Sequence, residues 1–171
     1  MHSNLPHINQ KFHYQFITFR TKDSTDAFVQ KLLSRNNIQT KVQQYQLDEY
    51  LGSSISGAYL NAKVIDVVKT YLLAIDKSLC DVIAFSIMPN HVHILFVQND
   101  DISKIVQHIK GGLSFVVNKE LKKSGVLWQK DYFDKGIRDE KHFNLVYEYI
   151  KNNALKAGLK DADSRFYGVY E

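Results

Sequence analysis

The sequence has little of what disulfide-built proteins, thiolate zinc clusters and membrane spans require. Its 171 residues include one cysteine, Cys80, which excludes an internal disulfide and any zinc site made of several thiolates. The two prolines and eight glycines leave no room for a collagen-like or long disordered segment. No run approaches the roughly 20 apolar residues of a membrane span, and residues 1–12 lack an apolar core of signal-peptide length. We therefore expect a reduced, cytoplasmic protein with no membrane partner.

The length and the apolar content predict a single folded domain over residues 1–171. Hydrophobic residues make up 44% of the chain and aromatic residues 12%, which is enough to bury a core without disulfides or a structural metal. The net charge of +4 permits nucleic-acid binding without requiring it. The lysines concentrate in the second half of the chain, and solvated helix faces are the favoured explanation for them at this point.

Apolar residues recur with the period of strands in some segments and with the period of helices in others. The patterns predict strands at 12–20, 81–88 and 91–97, a further short strand within 126–139, and helices from 23–26 to about 34 and at 41–51, 61–76, 101–123 and 139–160. This order of strands and helices is typical of an α+β fold in which helices pack on a small antiparallel sheet. It is close to the ferredoxin-like, RRM-like plan.

Two histidines stand one residue apart in the segment MPNHVHILF, residues 88–96. Pro89 and Asn90 suit the corners of a tight turn, so the strand that follows begins at the first histidine. Side chains two residues apart on a strand point to the same face, so His91 and His93 converge while the residues after each of them point to the core. The pair alone fits either a metal site or two half-buried imidazoles.

The last predicted helix places a tyrosine and an amide side by side. At about 100° per residue, one narrow stripe of this helix faces the core. It consists of Phe143, Val146, Tyr147, Ile150 and Ala154. Tyr149 lies roughly 120° from the centre of the stripe, and Asn153 follows it by one helical turn on the same flank. The two side chains are therefore presented together at the edge of the core.

A tyrosine beside a metal ligand suits covalent catalysis. A free phenol has a pKa of about 10, so only about one molecule in a thousand is phenolate at pH 7, a penalty of roughly 4 kcal/mol. A divalent cation held by two imidazoles and an amide oxygen would clamp a substrate phosphate and offset that penalty. Mg²⁺ or Mn²⁺ fits such a site, and the imidazoles alone suit zinc at least as well. Each residue also has an ordinary structural explanation. Tyr149 would then lie at the edge of an amphipathic helix with its hydroxyl in water, and Asn153 would mark where the helix begins to end.

Both segments resemble the motifs of one family. MPNHVHILF resembles the HUH motif (His, bulky hydrophobic, His) of the single-tyrosine, insertion-sequence-type HUH transposases, and YIKNNALKAGL resembles the YIxxNPxxAGL stretch that carries their nucleophilic tyrosine. The similarity is greatest to the REP-associated tyrosine transposases. It extends to FITFR, YQLDEYLG and WQKDYFDKGIRDEKHF and so covers most of the chain. One departure is Ala154, which stands where the family usually has proline and should continue the helix more regularly.

The resemblance implies an HUH endonuclease fold, metal ligands at His91, His93 and Asn153, and a nucleophile at Tyr149. The implied reaction is attack of the tyrosine on a phosphodiester of single-stranded DNA, which gives a 5′-phosphotyrosine link and a free 3′-OH, and a second transesterification then joins strands. The implied cofactor is Mg²⁺ or Mn²⁺. The implied partner is single-stranded DNA with a hairpin of the REP or insertion-sequence-end type. A homodimer, and a tyrosine supplied by its partner subunit, stay open.

Two other functions stay open as well. One is a domesticated protein that binds DNA hairpins without cutting them. The other is a metal-dependent hydrolase in which Tyr149 plays no part.

Transposition chemistry needs a surface that tracks phosphates, so five basic residues become candidate DNA contacts. They are Arg20, Lys110, Lys130, Lys135 and Arg138. Trp128 and Tyr132 either stack on bases or pack in the core. The pair Gly111-Gly112 lowers helix stability by about 1 kcal/mol per residue relative to alanine, which predicts a close approach of another backbone or a ligand.

Overall fold

Five strands form one antiparallel sheet in the computed structural model, which describes residues 10–25, 29–31 and 41–171. The strands are β1 (Tyr14–Arg20), β2 (Cys80–Ile87), β3 (His91–Gln98), β4 (Phe133–Gly136) and β5 (Phe166–Gly168). Their order across the sheet is β4-β1-β3-β2-β5, and each pairing is antiparallel. The first four strands reproduce the ferredoxin-like order, and β5 extends the sheet beside β2.

Helices cover both faces of this sheet. They are α1 (Lys41–Ser53), α2 (Lys63–Leu73), α3 (Ile102–Leu121), α4 (Glu140–Lys156) and α5 (Ala162–Arg165), with a 3₁₀ turn at Lys22–Ser24. Apolar residues of α2 and α3 pack with Phe85 and Ile94 of the sheet in one core. Tyr147 and Ile150 of α4 pack with Leu95 in a second core on the opposite face. The predicted α+β architecture is confirmed. No helix in the described ranges is long and apolar enough to cross a membrane.

The observed elements differ from the predicted ones mainly at their ends. Strand β1 begins at Tyr14 and helix α4 ends at Lys156, both inside the predicted ranges. The strand β5 is absent from the sequence prediction, because three residues are too few to show a period. Most of the helix expected to end near residue 34 lies outside the described residues, of which 29–31 are helical.

Alternation along β3 places the two histidines on the face that α4 covers. Val92 and Ile94 enter the core formed with α2 and α3, whereas Leu95 belongs to the core formed with α4. Because side chains alternate between faces, His91 and His93 share the side of Leu95. The common face expected for the two imidazoles is therefore observed.

The double glycine of α3 has a structural explanation at one of its two positions. A Cβ added at Gly112 would overlap the ring of Tyr71 from α2, whose hydroxyl donates to the His108 carbonyl at 3.1 Å. A Cβ added at Gly111 would meet no atom of the described residues within 4 Å. The close approach expected from the sequence is therefore made by a tyrosine side chain at Gly112, and not by a backbone or a ligand.

Alanine at the two glycines should change stability in opposite directions. Gly112→Ala should lower the free energy of unfolding by about 1–3 kcal/mol, because Tyr71 must leave its place against α3. Gly111→Ala should raise it by about 1 kcal/mol, because alanine is the better helix former and the position is open. Urea titrations of both variants against wild type measure the two changes. Equal effects of the two substitutions would contradict this packing.

Candidate active site

Two buried imidazoles lie edge to face at the start of β3. The rings of His91 and His93 have centroids 4.8 Å apart and an interplanar angle of 84°. Both side chains are fully buried. In the strand register, Arg20 of β1 stands opposite His91, and Thr18 stands opposite His93. Strand β1 therefore supplies a polar neighbour to each imidazole.

Hydrogen bonds at Nδ1 orient both rings. The amide nitrogen of Asn90 donates to two backbone carbonyls of the segment after α1 at 3.4 and 3.3 Å, so its Oδ1 faces His91 Nδ1 at 2.8 Å. His91 Nδ1 then carries the proton, which leaves a lone pair on Nε2. His93 Nδ1 lies 2.7 Å from the Thr18 hydroxyl. Partners at Nδ1 thus leave the Nε2 atom of each ring for another ligand.

A carboxylate from α1 joins the two imidazoles. Asp48, His91 and His93 each offer one ligand atom, and the three atoms lie within 4.8 Å of one another in buried surroundings. Asp48 stands beside the buried Leu47 and Leu51 on the inner face of α1. An acidic residue inside an apolar helix stripe is the sequence signal that could have revealed it. The stripe alone does not indicate which element it faces, so Asp48 is a site residue that the sequence prediction lacks.

Helix α4 presents Tyr149 and Asn153 to the same buried group. The ring centroids of Tyr149 and His93 lie 5.4 Å apart, and the tyrosine hydroxyl donates a hydrogen bond to Asp48 Oδ2. The Asn153 amide nitrogen lies 3.3 Å from His93 Nε2. The helix runs unbroken through Ala154, as alanine at that position predicts. The two residues expected at the helix edge therefore meet the histidine pair within one chain.

Burial dominates the electrostatics of this group. It raises the pKa of Asp48 to about 7, against the lowering effect of hydrogen bonds from Tyr149 and Gln44. Burial, together with the Asp48 charge, raises the pKa of Tyr149 well above its ordinary value. Burial also lowers the pKa of His93 to about 3 and that of His91 well below its ordinary value. The imidazoles are therefore neutral at pH 7, the form that binds metal ions, and Tyr149 is a protonated phenol.

The metal-free protein should lose stability as the pH falls below about 6.5. The pKa of His93 falls from 6.5 to about 3 on folding, so between these values only the unfolded chain takes up its proton. Each such proton lowers the free energy of unfolding by about 1.4 kcal/mol per pH unit. The raised pKa of Asp48 has the opposite effect on stability. Wild type is therefore compared with His93→Gln, because Asp48 is present in both proteins. In urea titrations with a chelator, the variant should show the smaller decline, and parallel declines would refute a buried neutral imidazole.

The donor set fits a divalent cation. His91 Nε2 is buried and has no hydrogen-bond partner among the described residues. Two imidazole nitrogens and a carboxylate oxygen, with the Asn153 amide adjacent, suit Mn²⁺ or Zn²⁺ and accept Mg²⁺. A lone pair without a partner, close to two other metal-binding groups, is what a cation site requires.

Two of the five expected DNA contacts are partly buried cations. Arg20 stands opposite His91, and its Nε is buried with no partner in the described part of the chain. Burial lowers the pKa of Arg20, and the charges of Asp131 and Asp48 act against this shift. Lys110 of α3 donates to the carbonyls of residues 129 and 130 at 2.5 and 3.0 Å, and it lies within range of the Arg20 and Asp131 charges. Arg20 therefore brings positive charge to the histidine pair.

The other three expected contacts follow the edge of the sheet formed by β4. Lys135 lies on β4 opposite Phe16 of β1. Lys130 precedes this strand, Arg138 follows it, and both are exposed. The three basic residues therefore lie along one edge of the sheet.

Trp128 packs in the core and is only 4% exposed. Its ring makes an edge contact with Phe19 at a centroid distance of 4.8 Å, and its Nε1 donates to the Lys110 carbonyl at 3.1 Å. Tyr132 is partly buried against the same core. Core packing is therefore the role of Trp128, and base stacking is not.

Comparison with known proteins identifies a family, a curated relative and solved structures that are similar to this chain. The family model "Transposase IS200 like" matches residues 56–153, which include the histidine pair and Tyr149. An uncharacterised protein of Haemophilus influenzae is 30% identical over 95 residues, or 42% of this chain and 52% of that protein, so the match spans about half of that relative. The structure of a REP-associated tyrosine transposase bound to a REP hairpin matches with a TM-score of 0.52 and 19% identity, over 92% of this chain and 75% of that one. The structural likeness shows a shared fold.

Proposed function

Because the chain belongs to the IS200-like transposases, we propose that it cleaves and rejoins single-stranded DNA beside hairpins, with Tyr149 as the nucleophile. The main support for this proposal is the position of Tyr149. Its ring packs against His93 and its hydroxyl is hydrogen bonded to Asp48, two members of the buried metal-binding group. A phenol held at a group of metal ligands is the arrangement that tyrosine attack on a phosphate needs.

His91, His93 and Asp48 would hold a divalent cation, Mg²⁺ or Mn²⁺, with the Asn153 amide beside it. When bound, such a cation neutralises the charge that develops on the phosphate oxygens. The neutral imidazoles support this assignment, because burial has already removed the proton that competes with a metal. The geometry favours Asp48 over Asn153 as the third ligand, since the Asn153 amide is directed at His93 itself.

Tyr149 attacks the phosphorus of a DNA phosphodiester. Its phenolic proton passes to Asp48, whose Oδ2 already accepts the hydrogen bond. The phenolic oxygen bonds to phosphorus while the bond from phosphorus to the 3′ oxygen breaks, and that oxygen takes up a proton from solvent water. The products are a 5′-phosphotyrosine link and a strand with a free 3′-OH. Attack by the 3′-OH of another strand reverses the step and releases Tyr149, so no ATP is needed.

Hairpin DNA is the proposed partner, and the proposed chemistry takes place within one chain. The proposal of a hairpin partner is supported by the fold that this chain shares with a protein whose structure was solved with a bound REP hairpin. Arg20 would bind a phosphate next to the histidine pair, because it stands opposite His91 and its buried Nε has no partner among the described residues. The histidines and Tyr149 come from the same chain, so we propose that the tyrosine acts in cis.

Incubation of the purified protein with hairpin-bearing single-stranded DNA tests the proposal. With Mn²⁺, a denaturation-resistant protein–DNA adduct and a shortened strand with a 3′-OH are expected, and a chelator should abolish both. Binding without cleavage would instead support a DNA-hairpin-binding protein. Cleavage without an adduct would support a metal-dependent hydrolase.

A further inference from the structure

Arg165, at the end of α5, is an arginine buried inside the fold, with 2% of its surface exposed. Its Nη1 donates to the carbonyls of Leu60 and Ile87, each at 2.9 Å, and its Nη2 donates to Asn61 Oδ1 at 2.7 Å. Its Nε donates to Asp161 Oδ1 at 2.7 Å. A buried guanidinium that is paired in this way fixes the relative position of the segments that it joins.

Two of the residues that accept hydrogen bonds from Arg165 hold the turn that leads into β3. Ile87 is the last residue of β2, and the chain then passes through Pro89 to His91, the first residue of β3. The Leu60 N–H donates to the Pro89 carbonyl at 2.9 Å, while the Leu60 carbonyl accepts from Arg165. Arg165 is therefore hydrogen bonded directly to one end of the turn. It is also connected to the middle of the turn through the hydrogen bonds of Leu60.

The same turn carries the group that orients the first imidazole. Asn90 Oδ1 accepts from His91 Nδ1 at 2.8 Å, and the Asn90 carbonyl accepts from the Thr21 N–H at 2.8 Å. Because Asn90 sets which nitrogen of His91 carries the proton, a shift of the turn would change the direction and the protonation of His91 Nε2.

We propose that Arg165 is a positioning residue for the metal centre, which fixes the turn at Pro89 and Asn90 and thereby aims His91 Nε2. This inference rests on the proposed function, because it gives Arg165 a part in metal binding at the same site. The role depends on the planar guanidinium, since one nitrogen bridges two carbonyls while the other reaches the Asn61 side chain. The segment after α4 is then part of the active-site structure.

Calorimetric titration of Arg165→Met with Mn²⁺ tests this role. The variant should bind Mn²⁺ about 10- to 100-fold more weakly than wild type, the range typical for loss of a partner outside the ligand shell. Gly112→Ala is the matched control, because it lowers stability at the contact between α2 and α3, and it should bind Mn²⁺ within about 2-fold of wild type. Arg165→Lys keeps the positive charge but lacks the planar guanidinium that contacts two carbonyls and the Asn61 side chain. It should also weaken binding, and it replaces the methionine variant if that variant does not fold.

Nitrogen NMR of the His91 ring in the metal-free protein separates this inference from the proposed function. Wild type should show the proton on Nδ1, and the Arg165 variants should show a mixture of tautomers. Unchanged Mn²⁺ affinity and an unchanged His91 tautomer in a folded Arg165 variant would overturn the inference, as would an equal loss of affinity in Gly112→Ala. A wild type that binds no Mn²⁺ would reject the proposed metal site, and the His91 tautomer would still decide the role of Arg165.

Discussion

Tyr149→Phe is expected to abolish the covalent adduct with hairpin-bearing DNA and to slow strand cleavage by about 10⁴-fold or more, because it removes the attacking oxygen. The phenyl ring keeps the contacts of Tyr149 with Phe16 and His93. The Asp48 carboxylate loses one hydrogen bond and keeps the one from Gln44 at 3.1 Å. The variant should therefore fold and bind hairpin DNA without cutting it. Denaturing electrophoresis of labelled DNA after incubation with Mn²⁺ measures the adduct.

Tyr147→Phe is the matched control from the same helix. The Tyr147 ring is buried in the core under α4, and its hydroxyl lies 3.4 Å from the Glu171 carboxylate and accepts from the Tyr170 N–H at 3.3 Å. Removal of this hydroxyl should leave adduct formation close to wild type. An adduct in Tyr149→Phe, or an equal loss in both variants, would refute Tyr149 as the nucleophile.

Substitution of the proposed metal ligands should give the second large effect. His91→Ala removes a buried Nε2 and should weaken Mn²⁺ binding by more than about 100-fold, because even partners outside the ligand shell contribute 10- to 100-fold. Asp48→Asn keeps the shape of the side chain and removes its charge, so it should weaken binding by about 10-fold or more. Asn153→Ala should have a smaller effect. Adduct formation at a fixed Mn²⁺ concentration should fall in the same order.

His108→Ala is the control for this series, since His108 is an exposed histidine of α3. It should bind Mn²⁺ as wild type does. A larger loss in Asn153→Ala than in Asp48→Asn would restore Asn153 as the third ligand, as the sequence resemblance implies. Equal affinity of wild type and His91→Ala would show that the histidine pair is not a metal site.

The sequence predicts which face of its strand or helix each histidine and the tyrosine occupies, because these faces depend on periods within single elements. Two-residue spacing on a strand gives His91 and His93 a common face, and one turn of a helix gives Tyr149 and Asn153 another. That these two faces meet is a property of the whole fold. In the sequence, only the family resemblance indicates it.

The contact partners of Asp48, Arg165 and Gly112 could not be predicted in this way, because they come from distant parts of the chain. Asp48 is 101 residues from Tyr149, and Arg165 is 105 residues from Leu60. No period within α1 or α5 indicates which element these side chains meet. Likewise, nothing within α3 indicates that a tyrosine from α2 fills the space beside Gly112.

Peptide mapping of the trapped adduct tests the identity of the nucleophile most directly. Wild-type protein would be incubated with hairpin-bearing single-stranded DNA and Mn²⁺, digested with nuclease and protease, and analysed by mass spectrometry. The predicted result is a nucleotide joined through its 5′ phosphate to the peptide that contains Tyr149, with fragmentation placing it on that residue. A nucleotide on any other residue, or DNA cleavage with no nucleotide on the protein, would contradict the proposed chemistry.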